Sequence, residues 1–198
     1  MSGRIVVLNG APRAGKSSIV TALQAQGPWL NLGVDAMART LPPELQPGIG
    51  LRPGGERPDL EPLVAELYLA LYESIAAHAR RGFDVVADVG HHDGYARPLA
   101  ILPRCARLLE GLPALLVGVY CPIDIIMERR NADPQQGFYA SGPGVPAPVQ
   151  RWQDAVHVPG LYDLTVDTAS LTPEACAAAI LATLANPPQP SAFAQLAS

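Results

Sequence analysis

The stretch Gly10-Ala11-Pro12-Arg13-Ala14-Gly15-Lys16-Ser17 reads G-x-x-x-x-G-K-S, the spacing of a phosphate-binding loop. Such a loop has to leave the end of a buried strand and enter the first turn of a helix. There, unpaired backbone N–H groups and the positive end of the helix dipole face an anion. Both neighbours are present. Ile5, Val6, Val7 and Leu8 form a short apolar run before it, and Ser18 to Ala25 reads as a helix after it. Gly10 and Gly15 let the backbone approach phosphate oxygens with no Cβ in the way. The expected nucleotide-binding residues are Gly10, Ala11, Pro12, Arg13, Ala14, Gly15, Lys16, Ser17 and Ser18, their amides forming an anion nest. Lys16 is expected to reach the β- and γ-phosphates of ATP, and Ser17 to offer its hydroxyl to Mg²⁺.

The 198 residues suffice for one α/β domain with a real core and are too few for two large ones. At 48% hydrophobic residues the composition is that of a folded chain, and a net charge of −4 without a basic run argues against nucleic acid as a partner. Cys105, Cys121 and Cys176 are isolated and lack metal-ligand spacing, which reads as reduced, buried thiols in a cytoplasmic protein. A strand from Ile5 leaves no leader segment expected, and no apolar run is long enough to span a membrane.

Further along, Trp29 to Val34 reads as a second strand, with Asp35 at its end and a helix over 36–41. Asp35 admits two compatible readings, a helix N-cap or a catalytic carboxylate at the strand end where ligands bind in parallel sheets. Residues 42–58 are rich in Pro and Gly and read as a long acceptor-side loop. Asp59 is expected to cap a helix whose apolar face is Leu60, Leu63, Val64, Leu67, Leu71 and Ile75, closed by Arg80-Arg81-Gly82, with Tyr68 and Tyr72 as packing residues. Phe83 to Val89 is the third strand, and its apolar run ending in Asp88 has the form of a Mg²⁺-holding strand end. His91-His92 reads as a polar loop at a pocket rim. A helix is expected over 95–110, a strand over 114–120, a helix opened by Pro122, a strand over 163–166 and a helix over 173–184. Arg129 and Arg130 head a lid over about 129–150; they would either neutralise a transferring phosphate or form a solvated helix end. Domain boundaries follow: a single domain over 1–186 and a patternless tail over 187–198.

Five strands alternating with helices imply a three-layer α/β fold, a parallel sheet with helices on both faces. At this point the chain resembles the chloramphenicol 3-O-phosphotransferase family over Ile5 to about Leu184. The resemblance rests on Leu8-Asn9-Gly10 leading into Gly15-Lys16-Ser17-Ser18, on Pro28-Trp29-Leu30 before Gly33-Val34-Asp35, and on Asp88-Val89. It continues in Val117-Gly118-Val119 before Cys121, in Arg129, Val156-His157, Tyr162-Asp163 and Val166-Asp167-Thr168. It implies an adenylate-kinase-like core with strand order two, three, one, four, five, and transfer of the ATP γ-phosphate to the primary hydroxyl of chloramphenicol. It puts the family's acceptor-activating aspartate on Asp35. Two features depart from the family pattern. Ala87 replaces one of two adjacent acidic residues, and Asp133-Pro134-Gln135-Gln136 stands where the family carries two lid arginines.

The expected activity is therefore ATP- and Mg²⁺-dependent phosphorylation of a hydroxyl on a small molecule, chloramphenicol foremost. Asp35, Lys16 and Arg129 are the catalytic residues, and Ser17 and Asp88 the metal site. The alternatives are a kinase for a sugar, a nucleoside or another antibiotic, and a nucleotide-binding module without transfer. The resemblance leaves a homo-oligomer open.

Overall fold

The computed structural model describes residues 2–46, 48–132 and 144–198. Five parallel strands form one sheet: β1 (Ile5–Asn9), β2 (Leu30–Asn31), β3 (Val85–Val89), β4 (Ala114–Tyr120) and β5 (Leu164–Asp167), in the order β2-β3-β1-β4-β5. In the register, Leu8 lies between Asp88 and Val117; β1 and β3 end level at Asn9 and Val89, and β4 runs two residues further.

Alternation along β1 divides the core. Ile5 and Val7 face a cluster with Val64, Tyr68, Tyr72 and Ile75 of α3 (Glu61–Arg80) and with Ile101 of α4 (Ile101–Leu108). Val6 and Leu8 face Ile19 and Leu23 of α1 (Lys16–Gln24) and Ala177 and Ile180 of α7 (Pro173–Ala185). All four β1 side chains are fully buried, as expected of a central parallel strand covered on both faces. Each such side chain supplies about 1.5–3 kcal/mol of burial, which anchors the loop that follows. The three cysteines are free and buried, and no described helix is long and apolar enough to cross a membrane.

Several elements differ from expectation. The strand expected over 29–34 shrinks to two residues, because Asn31 Oδ1 accepts from the Gly33 amide (3.2 Å) and turns the chain out of the sheet. Asp59 does not cap α3. Leu60 occupies that position, and Asp59 is held by Arg57 instead. The helix expected over 95–110 begins only at Ile101. Pro98 keeps the preceding residues out of the helical region, and Pro103 falls in the first turn, where a missing N–H costs nothing. The expected patternless tail carries α8 (Ala192–Ala197). Ser191 Oγ accepts from Ala194 N (3.2 Å), Ala192 N donates to Asp163 Oδ1 (2.7 Å), and Phe193 is buried in the α3/α4 core. Half of the expected lid, residues 133–143, lies outside the described residues. Arg129 and Arg130 sit in α5 (Ile123–Ala132), and the chain is described again from Gly144 into α6 (Ala147–Ala155).

Candidate active site

The loop from Gly10 to Gly15 joins β1 to α1. Arg13 and Gly15 adopt left-handed backbone angles (φ 73° and 95°), which curl the loop tightly between β1 and α1. A Cβ on Gly10 would lie 2.5 Å from the Val119 carbonyl, so only glycine fits there. Two side chains from elsewhere brace the loop. Thr168 Oγ1, just past β5, donates to Ala14 O (2.7 Å), and Arg129 donates to Arg13 O (3.2 Å) and to the Thr168 carbonyl (2.8 Å).

Lys16 lies against the loop, its ammonium donating to Gly10 O (2.7 Å) and Ala11 O (2.9 Å). Burial pulls its pKa down to about 8, against the opposing pull of the Asp88 and Asp35 carboxylates. Ser17 Oγ donates to Asp88 Oδ2 at 3.2 Å, joining the start of α1 to the end of β3. The backbone at Gly33 presses against that carboxylate, since a Cβ there would stand 1.8 Å from Asp88 Oδ1.

Asp35 is the second residue of α2 (Val34–Ala38). Gly33 occupies the N-cap and makes no side-chain cap bond, so the capping reading of Asp35 is corrected. Its carboxylate instead lines a cavity of ≈1130 Å³, together with Gly10, Pro12, Arg13, Gly15, Lys16, Ser17, Ser18, Asp88, Arg129 and Arg130. Ala11 and Ala14, expected among the nucleotide-binding residues, are buried beneath the loop and do not line this cavity.

The histidine pair is not a polar rim loop. His91 and His92 are 2% and 5% exposed, because each finds buried partners in a different element. His91 Nε2 meets Tyr72 Oη (2.9 Å), and its ring lies over Tyr68 at 4.4 Å. Burial drives its pKa down to about 3. His92 Nε2 bonds the Leu51 carbonyl (2.7 Å), and its Nδ1 accepts from Gly94 N (3.1 Å), so the ring is the neutral Nε2–H tautomer. No metal-ligand cluster of His, Cys, Asp or Glu occurs among the described residues.

Of the other wall of the cavity, sequence reasoning anticipated the 42–58 loop but named none of its side chains, and it missed the parts from α3 and α6. Leu51, Arg52, Arg57, Leu60, Tyr68 and Trp152 line it, brought from the 42–58 segment, α3 and α6. Trp152 lies over Gly90, where a Cβ would be 3.0 Å from the indole, and His92 meets its edge at 5.1 Å. Glu56 pairs with both Arg52 and Arg151, tying the loop to α6. Nothing in the local pattern around Trp152 announces these contacts, which arise only when α6 and the loop meet.

A sheet of this order, with a phosphate-binding loop after its central strand and the carboxylates of Asp88 in β3 and Asp35 in α2 lining the same cavity, is that of a small-molecule P-loop kinase. The fold is similar to that of Mycobacterium tuberculosis APS kinase (TM-score 0.60, 18% identity, 93% of this chain and 99% of that one). It is also similar to Acinetobacter baumannii shikimate kinase (TM-score 0.58, 15% identity, 92% and 93%) and to the Deinococcus radiodurans tunicamycin resistance protein (TM-score 0.59, 16% identity, 92% and 95%). Two Mycobacterium tuberculosis relatives, each named "Putative O-phosphotransferase", are 26% identical over 210 residues, covering 98% of this chain and 88% of theirs. Residues 3–185 match the family described as chloramphenicol phosphotransferase-like protein, and the chain belongs to that family. It is a phosphotransferase with an alcohol group as acceptor.

Proposed function

We propose that this enzyme transfers the γ-phosphate of ATP to a hydroxyl of a small molecule, with Asp35 as the general base. The observation that carries the reading is the gathering of Lys16, Ser17, Asp88 and Asp35 in one cavity at the strand ends. Loop amides from Gly10 to Ser18 cradle the phosphates, and Lys16 exchanges its two loop carbonyls for phosphate oxygens. Ser17 Oγ and Asp88 are hard oxygen donors already in contact, a set that suits Mg²⁺. Bound there, Mg²⁺ would neutralise charge on the phosphates. Asp35 orients the acceptor hydroxyl and takes its proton as the oxygen attacks in line. Arg129 acts chiefly by holding Arg13 and Thr168 in place, with its charge beside the phosphates.

In this reading residues 1–186 are the kinase unit, 42–58 the acceptor loop and 129–150 the lid, and α8 completes the core from the 187–198 segment. The family's description makes chloramphenicol the first acceptor to try. The test is ATP turnover with and without a panel of alcohols that includes chloramphenicol. Stimulation by one of them supports transfer. No stimulation from a folded, ATP-binding protein favours a nucleotide-binding module.

A further inference from the structure

The acceptor wall of the cavity is largely apolar, with two guanidinium groups set into it. Leu51, Leu60, Tyr68 and Trp152 suit a carbon skeleton, whereas Arg52 and Arg57 do not. Covering a guanidinium with a neutral molecule strips water from a charge and returns nothing; an oxyanion offsets that loss. Among the described residues the carboxylates lining the cavity are Asp88 and Asp35, and the charge of each is felt by Lys16 on the phosphate side.

The bonding of Arg57 is more specific. Asp59 takes one edge of the guanidinium, with Nε donating to Oδ1 (2.8 Å) and Nη2 to Oδ2 (2.6 Å). A guanidinium has a second edge, formed by Nη1 and the remaining hydrogen of Nη2. Among the described residues no protein atom bonds that edge, and Arg57 lines the cavity. Asp59 thus takes one edge of a side chain that is 46% exposed, and leaves a planar fork of the kind that receives a carboxylate or phosphoryl group in two parallel bonds. Arg52 lies on the same wall. Its partner Glu56 is shared with Arg151, and neither Glu56 nor Asp59 lines the cavity.

We propose that the acceptor is an anionic alcohol, a molecule that offers its hydroxyl to Asp35 and an oxyanion to the open edge of Arg57. This rests on the kinase reading above and narrows its substrate class. Arg57 is then the residue that separates charged from neutral acceptors.

The test uses the whole chain with saturating Mg²⁺-ATP and acceptors in matched pairs. Hydroxylated carboxylic acids are compared with their amides, and phosphomonoester alcohols with their dephosphorylated forms. Chloramphenicol serves as a neutral aromatic arm, and ADP release is the readout. The expected result is kcat/KM about 10- to 100-fold higher for the anionic member of a pair, the range of a charge-assisted bond. The two anionic arms decide between carboxylate and phosphate. R57Q should bring the ratio within a pair close to one, mainly through KM, and R57K should restore part of it. Thermal midpoints establish that the variants are folded. An equal loss on both members of a pair would put Arg57 on the transferred phosphate and overturn the proposal. Neutral alcohols used as well as or better than anionic ones would also overturn it, with the kinase reading intact. No acceptor-dependent turnover in any arm, from protein that still binds ATP, overturns both.

Discussion

The Asn9 carboxamide and the His91 backbone amide meet at 2.6 Å, and this bond joins the last residue of β1 to the turn after β3. The other end of the same side chain donates to Val156 O (2.8 Å) and Tyr162 Oη (3.0 Å). Tyr162 in turn lies against Gly118 and bonds His157 Nδ1 (2.8 Å). One buried asparagine therefore ties three connections to the residue before Gly10. Asn9→Ala leaves the His91 N–H without its acceptor and removes the Nδ2 donor from Val156. Each buried group so stranded costs about 1–3 kcal/mol, so a total loss of roughly 2–6 kcal/mol is expected. Urea unfolding of the two proteins measures it. A loss under about 0.5 kcal/mol would mean that water replaces the carboxamide.

Strands whose sequence runs continuously apolar were readable from the chain. β4 was expected over 114–120 and is found there, because burial on both faces leaves no ambiguity of period. The phosphate-binding loop was readable for the same local reason, since spacing, strand and helix are all within reach of one another. What was not readable depends on distant partners. His91 and His92 look polar until Tyr72, Leu51 and the 9–10 turn surround them. Asp59 looks like a cap until Arg57 takes it. Helix α8 is six residues long, too short to show a period, and its one local signal is Ser191 at the N-cap. Its stability comes from Asp163 and from the core that receives Phe193.

That docking makes the 187–198 segment part of the fold. Phe193 is 4% exposed, with its ring 6.4 Å from Tyr72. Phe193→Ala should cost about 3–4 kcal/mol by lost burial and the cavity left behind. A chain truncated after residue 186 should lose at least as much, because Asp163 also loses the Ala192 amide. Thermal or urea unfolding reads both. An unchanged midpoint in the truncated chain would show that α8 contributes nothing.

The contact between Gly33 and Asp88 predicts an indirect metal-site variant. Asp88→Asn should raise the Mg²⁺ concentration needed for half-maximal turnover while changing acceptor KM less. Gly33→Ala cannot be accommodated with Asp88 in place, since the new Cβ would sit 1.8 Å from its carboxylate. It should shift the Mg²⁺ dependence in the same direction although Gly33 has no ligand atom of its own. Mg²⁺ titrations of the three proteins check this. Normal Mg²⁺ dependence in both variants would remove Asp88 from the metal site.

In the proposed reading Lys16 should make nucleotide binding pH-dependent. Its pKa in the folded protein lies at about 8, below the ordinary 10.5. From about 8 to 10.5 the unfolded chain holds this proton more fully than the folded one, so the group's contribution to stability rises with pH across that window. Nucleotide affinity should run the other way. Only the ammonium attracts phosphate, so affinity should be level below pH 8 and fall above it, approaching tenfold per pH unit. Calorimetric titration with an ATP analogue from pH 7 to 9.5 measures this. A flat profile would mean that Lys16 keeps its proton throughout and that its burial is relieved by water.

The decisive variant is Asp35→Asn. Gly33, not Asp35, holds the N-cap of α2, so the side chain contributes to stability only through its charge in the first helical turn. That effect is about 0.3–1 kcal/mol, and asparagine and alanine should lose it alike. A helix cap would behave differently, because asparagine would keep the cap and alanine would not. Turnover is a separate matter. Asparagine preserves shape and one hydrogen bond to the acceptor but cannot take a proton, so kcat should fall by roughly 10²- to 10⁴-fold, the range for a lost general base. ATP affinity should persist in Asp35→Asn. The loop amides, Lys16 and Arg129 are untouched, and removing one carboxylate near Lys16 takes away part of the pull that keeps its proton on. The pH at which nucleotide affinity begins to fall should therefore move slightly downward, a readout independent of catalysis. Thermal midpoint, ATP affinity across pH and acceptor turnover on wild type, Asp35→Asn and Asp35→Ala separate these effects. Near-normal kcat in Asp35→Asn would leave the hydroxyl to ionise without a protein base and would reduce Asp35 to an orienting hydrogen-bond acceptor.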